Sequence, residues 1–128
     1  MASDMAERFM STLQQIEQTG DPEPLVAMFT GDAELSNLAV VEPMRGLEGA
    51  RRFWHEYLLS FGKIRSQFTH VVDGNNAAVM EWTSEGVRPS GESIRYRGVS
   101  VIETDGQQVR RFRAYYDSAV FVPQAASL

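Results

Sequence analysis

AMFTGDAELSNLAVVEPMRGLEGARRFWHEY, residues Ala27–Tyr57, is the stretch whose reading decides the fold. It begins as the end of a helix and continues into Ala33–Leu38, a short apolar-alternating strand. Residues 39–46, with Pro43 and Gly46, break the pattern and read as a loop. From Leu47 the apolar positions change to helical spacing: Leu47, Ala50, Phe53, Trp54, Tyr57, Leu58 and Phe61, with Gly62 closing the run. A stripe that wide belongs to a helix that lies over a sheet rather than along one neighbour.

Upstream, Met5, Phe9, Leu13 and Ile16 recur at helical spacing and predict an amphipathic helix over residues 4–18. Ser3 suits its N-cap and Gly20 its stop. After the turn Gly20-Asp21-Pro22, a shorter helix carries Leu25, Val26, Met28 and Phe29. Downstream of Lys63 the period changes to two. Turn signals at Asp73–Asn76, Pro89–Glu92 and Thr104–Gln107 divide the rest into four long strands, about 64–72, 77–87, 93–103 and 108–121, joined as hairpins. The last eight or so residues read as a small tail. Three helices followed by an antiparallel meander give an α+β class: one domain over 1–128, with a curved, mainly antiparallel sheet wrapped around the helices.

Composition bounds the function. The chain has 128 residues, 43% of them apolar and 23% charged, enough to bury one core. A formal charge of −5 lacks the basic footprint of a nucleic-acid partner. Without cysteine there are no disulfides, no thiolate–metal sites and no thiol catalysis. The start MASDMAERF has neither the basic region nor the apolar run of a secretory signal, and no stretch approaches the roughly 20 apolar residues of a membrane span. A cytoplasmic protein without membrane contact is expected.

The Ala27–Tyr57 run, together with the ending YRGVSVIETDGQQVRRFRAYYDSAVF, resembles the cone-shaped α+β barrel of the nuclear transport factor 2-like superfamily. That group includes ketosteroid isomerases, limonene epoxide hydrolases and SnoaL-like polyketide cyclases. The resemblance covers nearly the whole chain and implies one apolar pocket that holds a small molecule. It also shows what is missing. Where ketosteroid isomerases carry their aspartate base, this chain has Asn37, an amide without usable basicity near neutral pH. The positions of their oxyanion-hole tyrosine and acid fall on Leu13 and about Gly98. The Asp–Arg–Asp set of the epoxide hydrolases falls near Thr83, Glu81 and Ala114. Neither activity is expected by its usual mechanism. A late-strand acid, the base of some polyketide cyclases, finds its nearest candidate in Asp117, which alternation places on the face opposite Ala114.

Alternation groups Val79, Glu81 and Thr83 on one face, and the Asp73–Asn76 turn adds His70 and Phe68 to it. If that face is inward, Glu81 and His70 form a general acid–base pair in an apolar pocket, or a polar cluster that only orients a ligand. Asn37, Trp54, Thr83, Tyr96, Ala114 and Tyr116 are the expected ligand-binding residues. Two distant histidines, His55 and His70, make no metal signature, and no cofactor is expected. Arg95, Arg97, Arg110, Arg111 and Arg113 form either cross-strand ion pairs with nearby acids or the contact face of a homodimer. The expected activity is binding of a small hydrophobic, polyketide-like molecule, with isomerase, cyclase or hydratase chemistry upon it; the alternative is a non-catalytic binding or accessory module.

Overall fold

The computed structural model describes residues 4–121. Three helices precede and interleave with the first strands: α1 (Asp4–Thr19), α2 (Glu23–Val26), β1 (Phe29–Ser36), β2 (Met44–Arg45) and α3 (Gly46–Leu59). Four long strands follow: β3 (Lys63–Gly74), β4 (Ala77–Val87), β5 (Ser93–Thr104) and β6 (Val109–Tyr116), closed by a 3₁₀ turn at Ser118–Phe121. They form one six-stranded sheet in the order β2-β1-β6-β5-β4-β3. β1 runs parallel to β6 and every other pair is antiparallel. The sheet stays open, with β2 and β3 as its edges, and α1 and α3 lie in its concave side.

The turn chemistry acts locally as read. Asn76 takes φ +57° and Gly106 φ +97°, conformations that favour these residue types at hairpin tips. Two boundaries differ from the sequence reading because tertiary pairing wins. The strand expected to begin at Ala33 begins at Phe29, since the Val109 N–H donates to the Met28 carbonyl (2.8 Å) and Phe29 pairs with Val109. This leaves α2 only four residues. The last strand ends at Tyr116 rather than 121, because the Asp117 carboxylate accepts the Ala119 N–H and turns the chain. The short β2, unread in the sequence, is held by pairing with Glu34 and Leu35. The proposed Ser3 cap and most of the C-terminal tail lie outside the described residues.

The α1 stripe Phe9, Leu13 and Ile16 is fully buried, as are Phe53 and Trp54 of α3. Phe9 stacks on Phe112 at 5.6 Å between ring centres, and Trp54 meets the same ring edge-to-face at 4.9 Å. A second cluster, Phe61, Ile64, Trp82, Ile94 and Tyr96, fills the far end of the sheet. Among the described residues no helix is long and apolar enough to cross a membrane.

Gly98 sits where β5 passes beneath the Trp82 ring. A Cβ there would lie 2.7 Å from Trp82 Cζ2 and 2.8 Å from Tyr116 Cβ, closer than packed atoms allow. Gly98→Ala should therefore destabilise the fold by about 1–3 kcal/mol in urea unfolding, the range for an overpacked methyl. An unchanged midpoint would show that this close approach is not a constraint.

Candidate functional site

Between α3, the 37–40 loop and the concave face of β4–β6 lies a cavity of about 530 Å³. That volume suits a small organic ligand. Rings form much of its wall, among them Phe53, Trp54, Phe61, Trp82, Tyr96 and Phe112. Ala114 leaves room where a larger residue on β6 would fill the space. The ring of Tyr96 meets Trp82 edge-to-face at 5.3 Å and Phe121 at 4.8 Å, so the inner wall is built of interlocked aromatics.

The structure brings Asn37, Trp54, Tyr96, Ala114 and Tyr116 to this cavity. Their roles differ. The Asn37 side-chain carbonyl accepts the Ala39 N–H (2.8 Å), so it shapes the loop at the cavity mouth. Trp54 Nε1–H is buried without a polar partner, enclosed by Phe53, Phe112 and Tyr57, whose rings stand edge-to-face to the indole. Trp82, by contrast, donates its Nε1–H to Ser100 Oγ at 2.9 Å.

Glu81, His70 and Thr83 are not in the cavity. The inward residues of β4 are Ala78, Met80, Trp82 and Ser84, all buried. Their neighbours Val79, Glu81 and Thr83 point outward, because Met80 and Trp82 bury far more apolar surface than Val79 and Glu81 could. His70 does share a face with Glu81, directly opposite it, but that face is the outer one and both are exposed. A bulge at Thr69 breaks the alternation, so Phe68 pairs with Trp82 and packs inward while His70 stays out. Glu81, Thr83 and Asp117 instead border an outer groove with Arg97 and Tyr115. The acid–base pair expected from the sequence therefore does not meet a ligand in the cavity. The arginines form cross-strand ion pairs in part: Arg95 with Glu85, and Arg111 and Arg113 with Glu103.

The polar end of the cavity adds to Tyr57 and Tyr96 the residues Ser66, Ser84, Glu17 and Gln14, which the sequence reading passed over. Ser66 on β3 and Ser84 on β4 are directly opposed and buried, with hydroxyl oxygens 2.6 Å apart. The Ser66 N–H and hydroxyl both reach Glu17 of α1, at 2.8 and 2.6 Å. The Ser66 carbonyl accepts from Gln14 Nε2 at 3.1 Å. Both backbone groups of Ser66 thus point away from β4. The two serines form a non-hydrogen-bonded pair, the kind in which side chains stand closest. Tyr57 of α3 donates its hydroxyl to Glu17 Oε2 at 2.6 Å. Tyr96, next across the sheet from Ser84, lines the same cavity. The signal was present in α1: Phe9, Leu13 and Glu17 step by four along the buried stripe, which places a carboxylate where an apolar residue is due.

Burial pushes the Tyr57 hydroxyl well above the usual phenol range, and the Glu17 charge adds to it. Tyr96 is raised too, first by burial and then by Tyr116 and Glu17. Glu56 at the cavity rim is exposed and paired with Arg52 at 3.2 Å. No group of three or more His, Cys, Asp or Glu side chains among the described residues gathers as a cation site.

Comparison with known proteins fits this architecture. The model of the SnoaL-like domain matches residues 6–112. The chain belongs to the SnoaL-like family. Among solved structures, this SnoaL-like chain is similar to an NTF2-like protein from Anabaena variabilis, at 20% identity and a TM-score of 0.82, covering 92% of this chain and 95% of that one. It is similar to TerC co-crystallised with polyporic acid, at 15% identity and a TM-score of 0.78, covering 93% and 95%. It is also similar to a protein assigned as a SnoaL-like polyketide cyclase from Jannaschia sp. CCS1, at 17% identity and a TM-score of 0.75, covering 97% and 99%. At these identities the likeness is one of fold. No curated protein matches the chain.

The raised tyrosines carry a pH signature. Below about pH 10 they are protonated in the folded and unfolded chain alike. Above it the unfolded chain releases protons that Tyr57 and Tyr96 retain in the fold, so stability falls as pH rises. The urea midpoint should be lower at pH 11 than at pH 8, and Tyr57→Phe should flatten that loss. Equal slopes in the two proteins would remove Tyr57 as its source.

Proposed function

We propose that this SnoaL-like protein binds a small, largely apolar molecule of polyketide-like class in the α3–sheet cavity. The observation that carries this reading is the cavity's make-up: aromatic walls over about 530 Å³ with one hydroxyl-rich end. The co-crystallised polyporic acid of TerC and the assignment of the Jannaschia protein support the ligand class. A binding role fits better than the expected acid–base pair, since Glu81 and His70 face outward. Isomerase, cyclase or hydratase chemistry on the bound molecule would run through the Tyr57 and Ser84 hydroxyls that face the cavity.

A homodimer is the proposed assembly. Val72, Val79 and Tyr115 expose apolar surface on the outer side of the sheet, beside Arg97, a composition that suits an interface. Sedimentation at micromolar concentration should give a dimer, and Tyr115→Glu should shift it toward monomer. A monomeric parent protein would end this proposal.

The cavity reading is tested by filling it. Ala114→Phe puts a ring into the space that Ala114 leaves open. Binding of 2-naphthol, followed by quenching of Trp54 and Trp82 fluorescence, should weaken by at least about tenfold, with the far-UV circular dichroism unchanged. Unaltered affinity in a folded variant would place the ligand elsewhere.

A further inference from the structure

The hydroxyl chain at the end of the cavity has a fixed direction. An ionised carboxylate only accepts hydrogen bonds, and all three groups that reach Glu17 are donors: the Ser66 N–H, the Ser66 hydroxyl and the Tyr57 hydroxyl. Each hydroxyl has one proton. The Ser66 proton is committed to Glu17, so in the 2.6 Å contact between the serines Ser84 must be the donor and Ser66 the acceptor. The Tyr57 proton is likewise committed. Tyr57 and Ser84 both border the cavity, and both are left with lone pairs only.

We propose that Glu17 orients this chain so that the cavity's polar end accepts hydrogen bonds, and that it selects ligands carrying a hydroxyl donor, such as an alcohol, phenol or enol, over equally apolar molecules that end in a carbonyl. This rests on the binding reading above. Glu17 is a positioning residue here: it sets the protons of Tyr57, Ser66 and Ser84 without itself bordering the cavity. The selectivity follows from the cost of the wrong partner. A carbonyl oxygen facing the Tyr57 and Ser84 lone pairs makes no hydrogen bond and leaves its own acceptor unmet in a buried site.

A matched pair of probes tests it: 2-naphthol, which donates, and 2-acetylnaphthalene, which only accepts. The parent protein should bind the naphthol at least about tenfold more tightly. Glu17→Gln should then reverse the chain. Its amide oxygen can still accept the Ser66 N–H, while its NH₂ donates to the Ser66 and Tyr57 oxygens. The protons of Tyr57 and Ser84 are thereby released toward the cavity. The preference between the probes should shift by about tenfold or more toward 2-acetylnaphthalene, a change that mere loosening of the fold would not produce. Tyr57→Phe and Ser84→Ala provide the same test if Glu17→Gln does not fold: each removes one acceptor and should lower naphthol affinity with little effect on the ketone. Equal affinity of the parent protein for both probes, or an unmoved preference in the folded variants, overturns this inference and leaves the binding reading intact. Binding of neither probe overturns both.

Discussion

The bend of one sheet around two helices is the constraint from which the rest follows, and aromatic packing holds it. Phe112 of β6 is gripped by Phe9 from α1 and by Phe53 and Trp54 from α3, with ring centres 4.9–5.6 Å apart. Each such side chain contributes about 1.5–3 kcal/mol by leaving water, and the edge-to-face geometry adds to it. Small side chains at Ala33, Ala50 and Ala114 keep that contact close. The cavity is the space left between α3 and the concave face of the sheet.

The open edge of the sheet creates the polar end of that cavity. An edge strand carries unpaired N–H and carbonyl groups that invite pairing with another chain. At Ser66 those groups are satisfied by Glu17 and Gln14 from α1. The half-buried Glu17 carboxylate accepts from three donors there. The same contact closes the edge, anchors α1 to β3 and supplies the acceptor on which the serines and Tyr57 converge. Structural and site-forming roles thus fall on one side chain.

The outer face follows different rules. It carries Glu81, Arg97, Arg95 with Glu85, and the Arg111–Glu103–Arg113 group, all in contact with solvent to some degree. Exposed pairs of this kind add little stability. Their regular alternation with buried residues is nonetheless what keeps the strands in register, because a slip of one residue would turn Arg and Glu into the core.

Much of the fold was legible in the sequence because its signals are local. The 3.6-residue stripe of Phe9, Leu13 and Ile16, the wide stripe through Phe53 and Trp54, and the turns at Asn76 and Gly106 each depend on neighbours within a few residues. The family follows from the order of those elements, and the cavity residues Asn37, Trp54, Tyr96, Ala114 and Tyr116 from their place in it. The face of β4 was not legible by alternation alone. Val79-Glu81-Thr83 alternates as regularly as Met80-Trp82-Ser84, and a period of two does not say which set is inside. The bulge at Thr69 and the total apolar area of Met80 and Trp82 decide that, and both are properties of the packed sheet. The sequence by itself determined the elements, their order and the family. Only the tertiary structure decided that Glu81 faces out while Glu17 reaches in, because a charged side chain's position depends on partners 49 residues away, not on its own neighbours.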